Sequence, residues 1–357
     1  MNSVDYRSVV TRTLQSCGRL LEQRNPWIVS VVLVLIMFLK DGIGFFYVFD
    51  PATVSAEFPI PLDGPDASSF GWPLIVWALQ LETYRGLWLI PLVLIVISAL
   101  LLTPLLARRF DRMTAYAISA VILLGPIPMS LLSHLGRHDF LVVMGGVALV
   151  LSLTRPVLAG VAALVMSAGN PEQAMVATVL LLLAVQLTQR RSFVRASLTA
   201  AISAGSYWLF ASMLLTMSGS ASRIGTLSSV IPDASRIALS NLPVLLWATY
   251  GLSLFAVIVI LLSTPGWKRL ALLVVMIVPV ALYFLGDQTR IGVAVATPLM
   301  VFATISVLHN IMPRLSANTR QTVLGATALG AVVIPSVHIL YAGGVWEPYT
   351  FLVQLTS

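Results

Sequence analysis

Long apolar runs, broken at intervals by short polar clusters, set the pattern of this chain. Leu87–Leu106 and Val244–Leu262 are each nearly free of charge, and Trp27–Leu39 is extended by the aromatics that follow Lys40-Asp41. About 20 apolar residues at 1.5 Å per residue cover the hydrocarbon core of a bilayer. The runs show no period-two alternation, so helices and not barrel strands are predicted. The pattern yields about eleven helical spans, at 27–48, 86–107, 113–135, 139–153, 156–168, 172–188, 196–217, 242–263, 269–285, 291–309 and 321–341. The expected fold is all-α, a single integral membrane bundle over residues 1–357.

The 139–168 region is predicted as two short helices divided at Thr154-Arg155-Pro156. Each is too short to cross lipid upright, and is tolerable where its end meets a wet cavity inside a bundle. Two longer segments stand apart. The first, 49–85, carries Pro51, Pro59, Pro61 and Pro65, then a helix over about 69–82, with Pro73 in its first turn. Trp72 and Trp77 suit the headgroup level, so this helix is expected to lie along the membrane surface. The second, 218–241, is Ser-rich.

Composition agrees with the pattern. Of 357 residues 58% are hydrophobic and 10% charged, with a mean hydropathy of +0.94; a soluble domain would carry roughly a quarter charged residues. The net charge of +7 is dealt out in twos and threes between apolar runs, as membrane orientation requires and nucleic-acid binding does not. With the N-terminus cytoplasmic and the spans alternating, only Lys40, Arg85, Arg137, Arg223, Arg236 and Arg290 of the 21 basic residues fall outside. Merging the two short helices would turn Arg190, Arg191 and Arg195 outward, against the positive-inside tendency. The C-terminus is then periplasmic or extracellular. The lone Cys17 rules out an intrachain disulfide and a cysteine metal site. The first apolar run has no small-residue cleavage pattern and reads as an uncleaved span.

This topology gathers four polar clusters on the outer side: Phe49-Asp50, Gly136-Arg137-His138-Asp139, Gly169-Asn170-Pro171-Glu172 and Gly286-Asp287-Gln288-Thr289-Arg290. Ionisable groups at membrane helix mouths are costly, and gathering several on one face points to a site. Each also has a purely structural explanation. Asp139 serves either as a general base or in a local pair with Arg137. Asn170, Pro171 and Glu172 form a good helix start. Gly286 and Asp287 suit a C-cap and an N-cap. Asp50 is either a turn residue before Pro51 or a catalytic carboxylate. Arg290 is the exception: a guanidinium at the start of a span must pair with Asp287, Asp139 or Glu172, or hold an anion such as phosphate. Lys40-Asp41 reads as a pair on the rim. His134 and His138 have helical spacing but no third ligand, so no metal site is assigned.

The layout resembles the GT-C class of membrane glycosyltransferases through Asp50 after the first span, the Trp72–Gln80 segment and the short helices around Arg155-Pro156. The resemblance covers most of the chain in architecture. It implies transfer of a sugar from a polyprenyl-phosphate-linked donor to a glycan or lipid acceptor at the outer face of a bacterial inner membrane, in cell-envelope polysaccharide synthesis. Asp50 or Asp139 would be the base, and Arg290, with Arg137 or Arg85, would hold the phosphate. Glu172, Asn170, His138, Asp287 and Gln288 would bind substrate. No cofactor is implied, a divalent cation being compatible but not required. The class often has adjacent acids in its first outer loop, whereas Asp50, Glu57, Asp63 and Asp66 are separated here. That departure leaves room for a polymerase of the O-antigen or exopolysaccharide type, for which outward arginines would engage a lipid pyrophosphate. The rival from another class is a lipid-linked sugar transporter or flippase, disfavoured because interruption shows only in the first half of the sequence. A third reading is a membrane scaffold whose outer clusters are plain helix caps.

Overall fold

The computed structural model describes residues 6–43, 71–79, 84–133, 135, 138–218, 242–282, 288–334, 338–339 and 345–346. They are helical almost throughout: α1 (Tyr6–Glu22), α2 (Pro26–Asp41), α3 (Gly71–Ala78), α4 (Tyr84–Ala107), α5 (Arg112–Leu123), α6 (Pro126–Leu132), α7 (Asp139–Leu151), α8 (Pro156–Gly169), α9 (Pro171–Leu187), α10 (Arg191–Ser218), α11 (Leu242–Tyr250), α12 (Ser253–Ser263), α13 (Trp267–Ala281), α14 (Gln288–Ile311) and α15 (Ala317–Val333). Three helical stretches are long and apolar enough to cross a membrane, Trp88–Ala107, Arg191–Met217 and Arg290–Arg314, or up to six if each bent pair is one span.

The starts and stops follow local chemistry. Asn25 caps α2, with Pro26 in its first turn; Asp111 caps α5 and Ser316 caps α15 through side-chain oxygens. The division at Arg155-Pro156 holds: α7 and α8 are separate helices, 13 and 14 residues long. Pro156 supplies the fixed φ that opens α8 and removes a donor that no helix bond needs there.

Several expectations need correction. Residues 6–22, ahead of the first expected span at 27–48, form a helix of their own, α1, bent 120° from α2. The 113–135 and 242–263 runs are each two helices, bent by 41° at Leu124-Gly125 and by 98° at Gly251-Leu252. Gly251 has φ +48, and a Cβ there would lie 2.8 Å from Cδ of Pro126, so the two breaks touch. Interruption is therefore present in both halves. The final helix ends at Val333, and residues 338–339 pair antiparallel with 345–346 instead of continuing a span to 341. Lys40-Asp41 is buried and is no rim pair: Lys40 Nζ donates to the carbonyls of Leu124 and Ala331 at 2.6 Å each. Both acceptors sit at helix C-terminal ends, where a cation is electrostatically favoured and orphan carbonyls need donors.

The core centres on α14. Its apolar window is 72% buried, against 39% for the α4 stretch and 17% for the α10 stretch. The helix α7 is held between α14 and α8 by adjacent glycines. A Cβ on Gly146 would meet Pro298 at 3.2 Å, and one on Gly145 would meet Met166 at 2.6 Å. Small residues permit such close helix approach where lipid gives no hydrophobic drive for association. The pairings 145 with 166 and 138 with 169 make α7 and α8 antiparallel. The pairings 139 with 290 and 146 with 298 make α7 and α14 parallel. The starts of α7 and α14 and the end of α8 are thereby brought to one end of the bundle.

Candidate functional site

Asp139 and Arg290 meet at that end. Arg290 Nη1 donates to Asp139 Oδ2 at 3.0 Å, with side chains 8% and 4% exposed. The two residues are 151 apart in sequence, and close packing of α7 on α14 sets the distance. Each lies in the first turn of its helix. The positive end of a helix dipole favours the carboxylate at Asp139 and opposes the guanidinium at Arg290, so the pair offsets an unfavourable placement. A buried ion pair of this kind is weak support for stability and is costly to break one-sidedly.

The neighbours come from the α7 and α8–α9 ends. His138, at the N-cap position of α7, is buried, and a Cβ on Gly169 would lie 2.8 Å from its carbonyl oxygen. Asn170 follows directly; its Oδ1 accepts from Gln173 N at 3.0 Å, and Pro171 opens α9 as its composition predicts. Asn170 is thus a helix cap, its side-chain oxygen engaged with the backbone. Glu172 is half-buried in the first turn of α9. Of the predicted site residues, the structure joins Asp139 to Arg290 and sets His138 and Asn170 at neighbouring helix ends, with Glu172 two residues further on. Asp50, Arg137 and Asp287 lie outside the described residues, as does His134. Arg85 and Gln288 fall in the first turns of α4 and α14, their side chains outside the description.

Two features escaped sequence reasoning. Gln173 is buried, and its Oε1 has no hydrogen-bond partner among the described residues. A buried amide oxygen of this kind costs free energy, about 1–3 kcal/mol, unless something donates to it. Its spacing, one helical turn beyond Asn170, was legible, but nothing in the sequence marked it as buried. The second is Trp72, expected at the headgroup level and instead 1% exposed; its ring meets Phe140 edge-on, centroids 4.9 Å apart at 83°. That helix, α3, docks where a Cβ on Gly71 would collide with Ala168. Trp77, by contrast, is exposed. Helix α3 thus packs, through Trp72, on Phe140 in the first turn of α7, the residue next to Asp139.

Away from this end, α4, α7 and α8 border an open apolar cavity of about 470 Å³, also lined by Met37, Ile122 and Ile127. Its polar lining residues are Ser98 and Ser152. No cluster of three or more His, Cys, Asp or Glu able to hold a metal ion occurs among the described residues. No family model, no curated protein and no solved structure matches this chain.

Proposed function

We propose that this protein is a membrane glycosyltransferase using a polyprenyl-phosphate-linked sugar, with Asp139 and Arg290 at its centre. The observation that carries the reading is the buried Asp139–Arg290 pair at the ends of short helices. A base and a phosphate-binding fork side by side are the two parts that transfer from a lipid phosphate needs. The guanidinium has five N–H donors, so Arg290 can take a phosphate oxygen while keeping or yielding Asp139. When phosphate draws on Arg290, the Asp139 carboxylate becomes a better base for the acceptor hydroxyl.

The step balances as follows. The acceptor oxygen attacks the anomeric carbon and its proton passes to Asp139. The bond from that carbon to the phosphate oxygen breaks, and its electron pair leaves on the phosphate, whose charge Arg290 stabilises. On this reading Gln173 Oε1, His138 and Glu172 would receive sugar hydroxyls, and Asp50, Arg137, Asp287, Gln288 and Arg85 would belong to the same outer face. The setting is a bacterial inner membrane with about eleven spans, the N-terminus cytoplasmic, the C-terminus outside and the acceptor a glycan or lipid.

The test is turnover of lipid-linked sugars by purified protein. A general base contributes about 10²–10⁴-fold, so Asp139→Asn should lower the rate per folded molecule by that factor. Equal turnover by the variant, or none by the wild type across a panel of lipid-linked sugars, would refute the reading. One observation favours a second reading, a transporter or flippase. The touching breaks at Leu124-Gly125 and Gly251-Leu252 supply interruptions in both halves, as expected of discontinuous transport helices. Flux of lipid-linked sugar across proteoliposomes without turnover would select it.

A further inference from the structure

We propose that the cavity between α4, α7 and α8 is a binding site for one acyl chain of an anionic glycerophospholipid, its phosphate held by arginines at one end. The inference is independent of the reading of Asp139 and Arg290. The walls are apolar, and Leu101 and Leu105 on α4 and Leu158 and Val161 on α8 are exposed where they line it, so the cavity opens sideways as a groove. Ligand pockets of roughly 300–1,000 Å³ hold small molecules and lipid segments, and about 470 Å³ lies in that range.

Length and charge identify the occupant. The groove follows α4 from Ile95 to Leu105 and α7 from Val143 to Leu151. At 1.5 Å per residue the α4 wall is about 15 Å long, half the ~30 Å hydrocarbon core, which is the depth of one leaflet. One end is basic. Arg108 and Arg109 follow Leu105, Arg155 lies between the lining residues Ser152 and Leu158, and all three arginines are exposed. Arg109 Nη1 donates to the Leu151 carbonyl, tying the end of α4 to the end of α7 beside the groove. The one acid on the segments that build this end, Asp111, caps α5 through Thr114 N and Thr114 Oγ1. A guanidinium cluster where an acyl chain of leaflet length would end complements a lipid phosphate. At the other end Val143 is one turn from Asp139, whose charge Arg290 already balances.

The experiment takes the protein purified in mild detergent, with native mass spectrometry and extraction of retained lipid. About one anionic glycerophospholipid per chain is expected. Titration with phosphatidylglycerol should raise the melting temperature at lower concentration than phosphatidylcholine does. Arg108→Gln with Arg155→Gln should cut that preference about tenfold or more; Arg109 is left intact because its bond to Leu151 has a structural part. Ala148→Trp fills the groove from an exposed wall position and should lower retention of either lipid; Val161→Trp, on the facing wall, makes the same test should the first variant not fold. Folded protein that retains no lipid, or equal response to the two lipids, overturns the proposal. So does retention of a polyprenyl phosphate that is lost with Arg290→Gln and kept in the Arg108/Arg155 variant. That last result would place the donor lipid in the groove and leave the reading of Asp139 and Arg290 standing.

Discussion

Arg290 was the residue whose chemistry spoke most clearly in the sequence, because a guanidinium at a span's start has few ways to be satisfied. Asp139, one of the three partners the sequence allows, is in contact with it at 3.0 Å. Asn170 as a cap was equally legible, since an Asn-Pro-Glu sequence satisfies orphan donors and suits the dipole locally. Lys40 departs from its expected rim position for a physical reason: from sequence a Lys-Asp pair after an apolar run looks exposed. Its burial depends on two carbonyls contributed by residues 84 and 291 positions away. The buried pair yields a prediction at this scale. Removing one partner strands a charge, so Arg290→Gln should lower stability by about 3–5 kcal/mol in thermal or denaturant unfolding. Replacing both, Asp139→Leu with Arg290→Met, should recover all but about 1 kcal/mol of that loss. Additive losses in the double variant would show that the two side chains are not coupled.

Among elements, the division of 139–168 into α7 and α8 was readable because Pro156 forces a boundary and positive-inside bookkeeping rejects one long helix. The breaks inside 113–135 and 242–263 were hidden. Gly125-Pro126 and Gly251 sit within apolar runs whose hydropathy continues unbroken across them, and the second break depends on a positive φ. Gly251→Ala tests how tightly this joint is fixed. At φ +48, with Pro126 Cδ 2.8 Å from the new methyl carbon, the substitution should cost about 1–3 kcal/mol in an unfolding titration. A neutral result would mean that the two breaks can part without penalty. The helix α1 precedes the first apolar run and carries no span-like hydropathy of its own; its Gly18 packs against Gln321 of α15.

For the whole molecule, apolar run length and the lack of period-two alternation identify a helical chain with helices of membrane-crossing length, and three such helices are present among the described residues. The convergence of α7, α8 and α14 ends was inferred from sidedness, but the contact itself arises from glycine-permitted packing that periodicity does not encode. Sidedness has its own test: single cysteines at positions 137 and 288, in a Cys17→Ser background, should react with a membrane-impermeant thiol reagent added from outside. Reaction only from the cytosol would invert the topology. The central claim, that Arg290 beside Asp139 receives a lipid phosphate, is tested most directly by binding of a polyprenyl phosphate to wild type, Arg290→Gln and Asp139→Asn. Loss of one charge-assisted phosphate contact is expected to weaken binding about tenfold or more in Arg290→Gln. Asp139→Asn, which leaves the guanidinium free of its carboxylate, should bind at least as tightly as wild type. Undiminished binding by a folded Arg290→Gln protein would contradict the account.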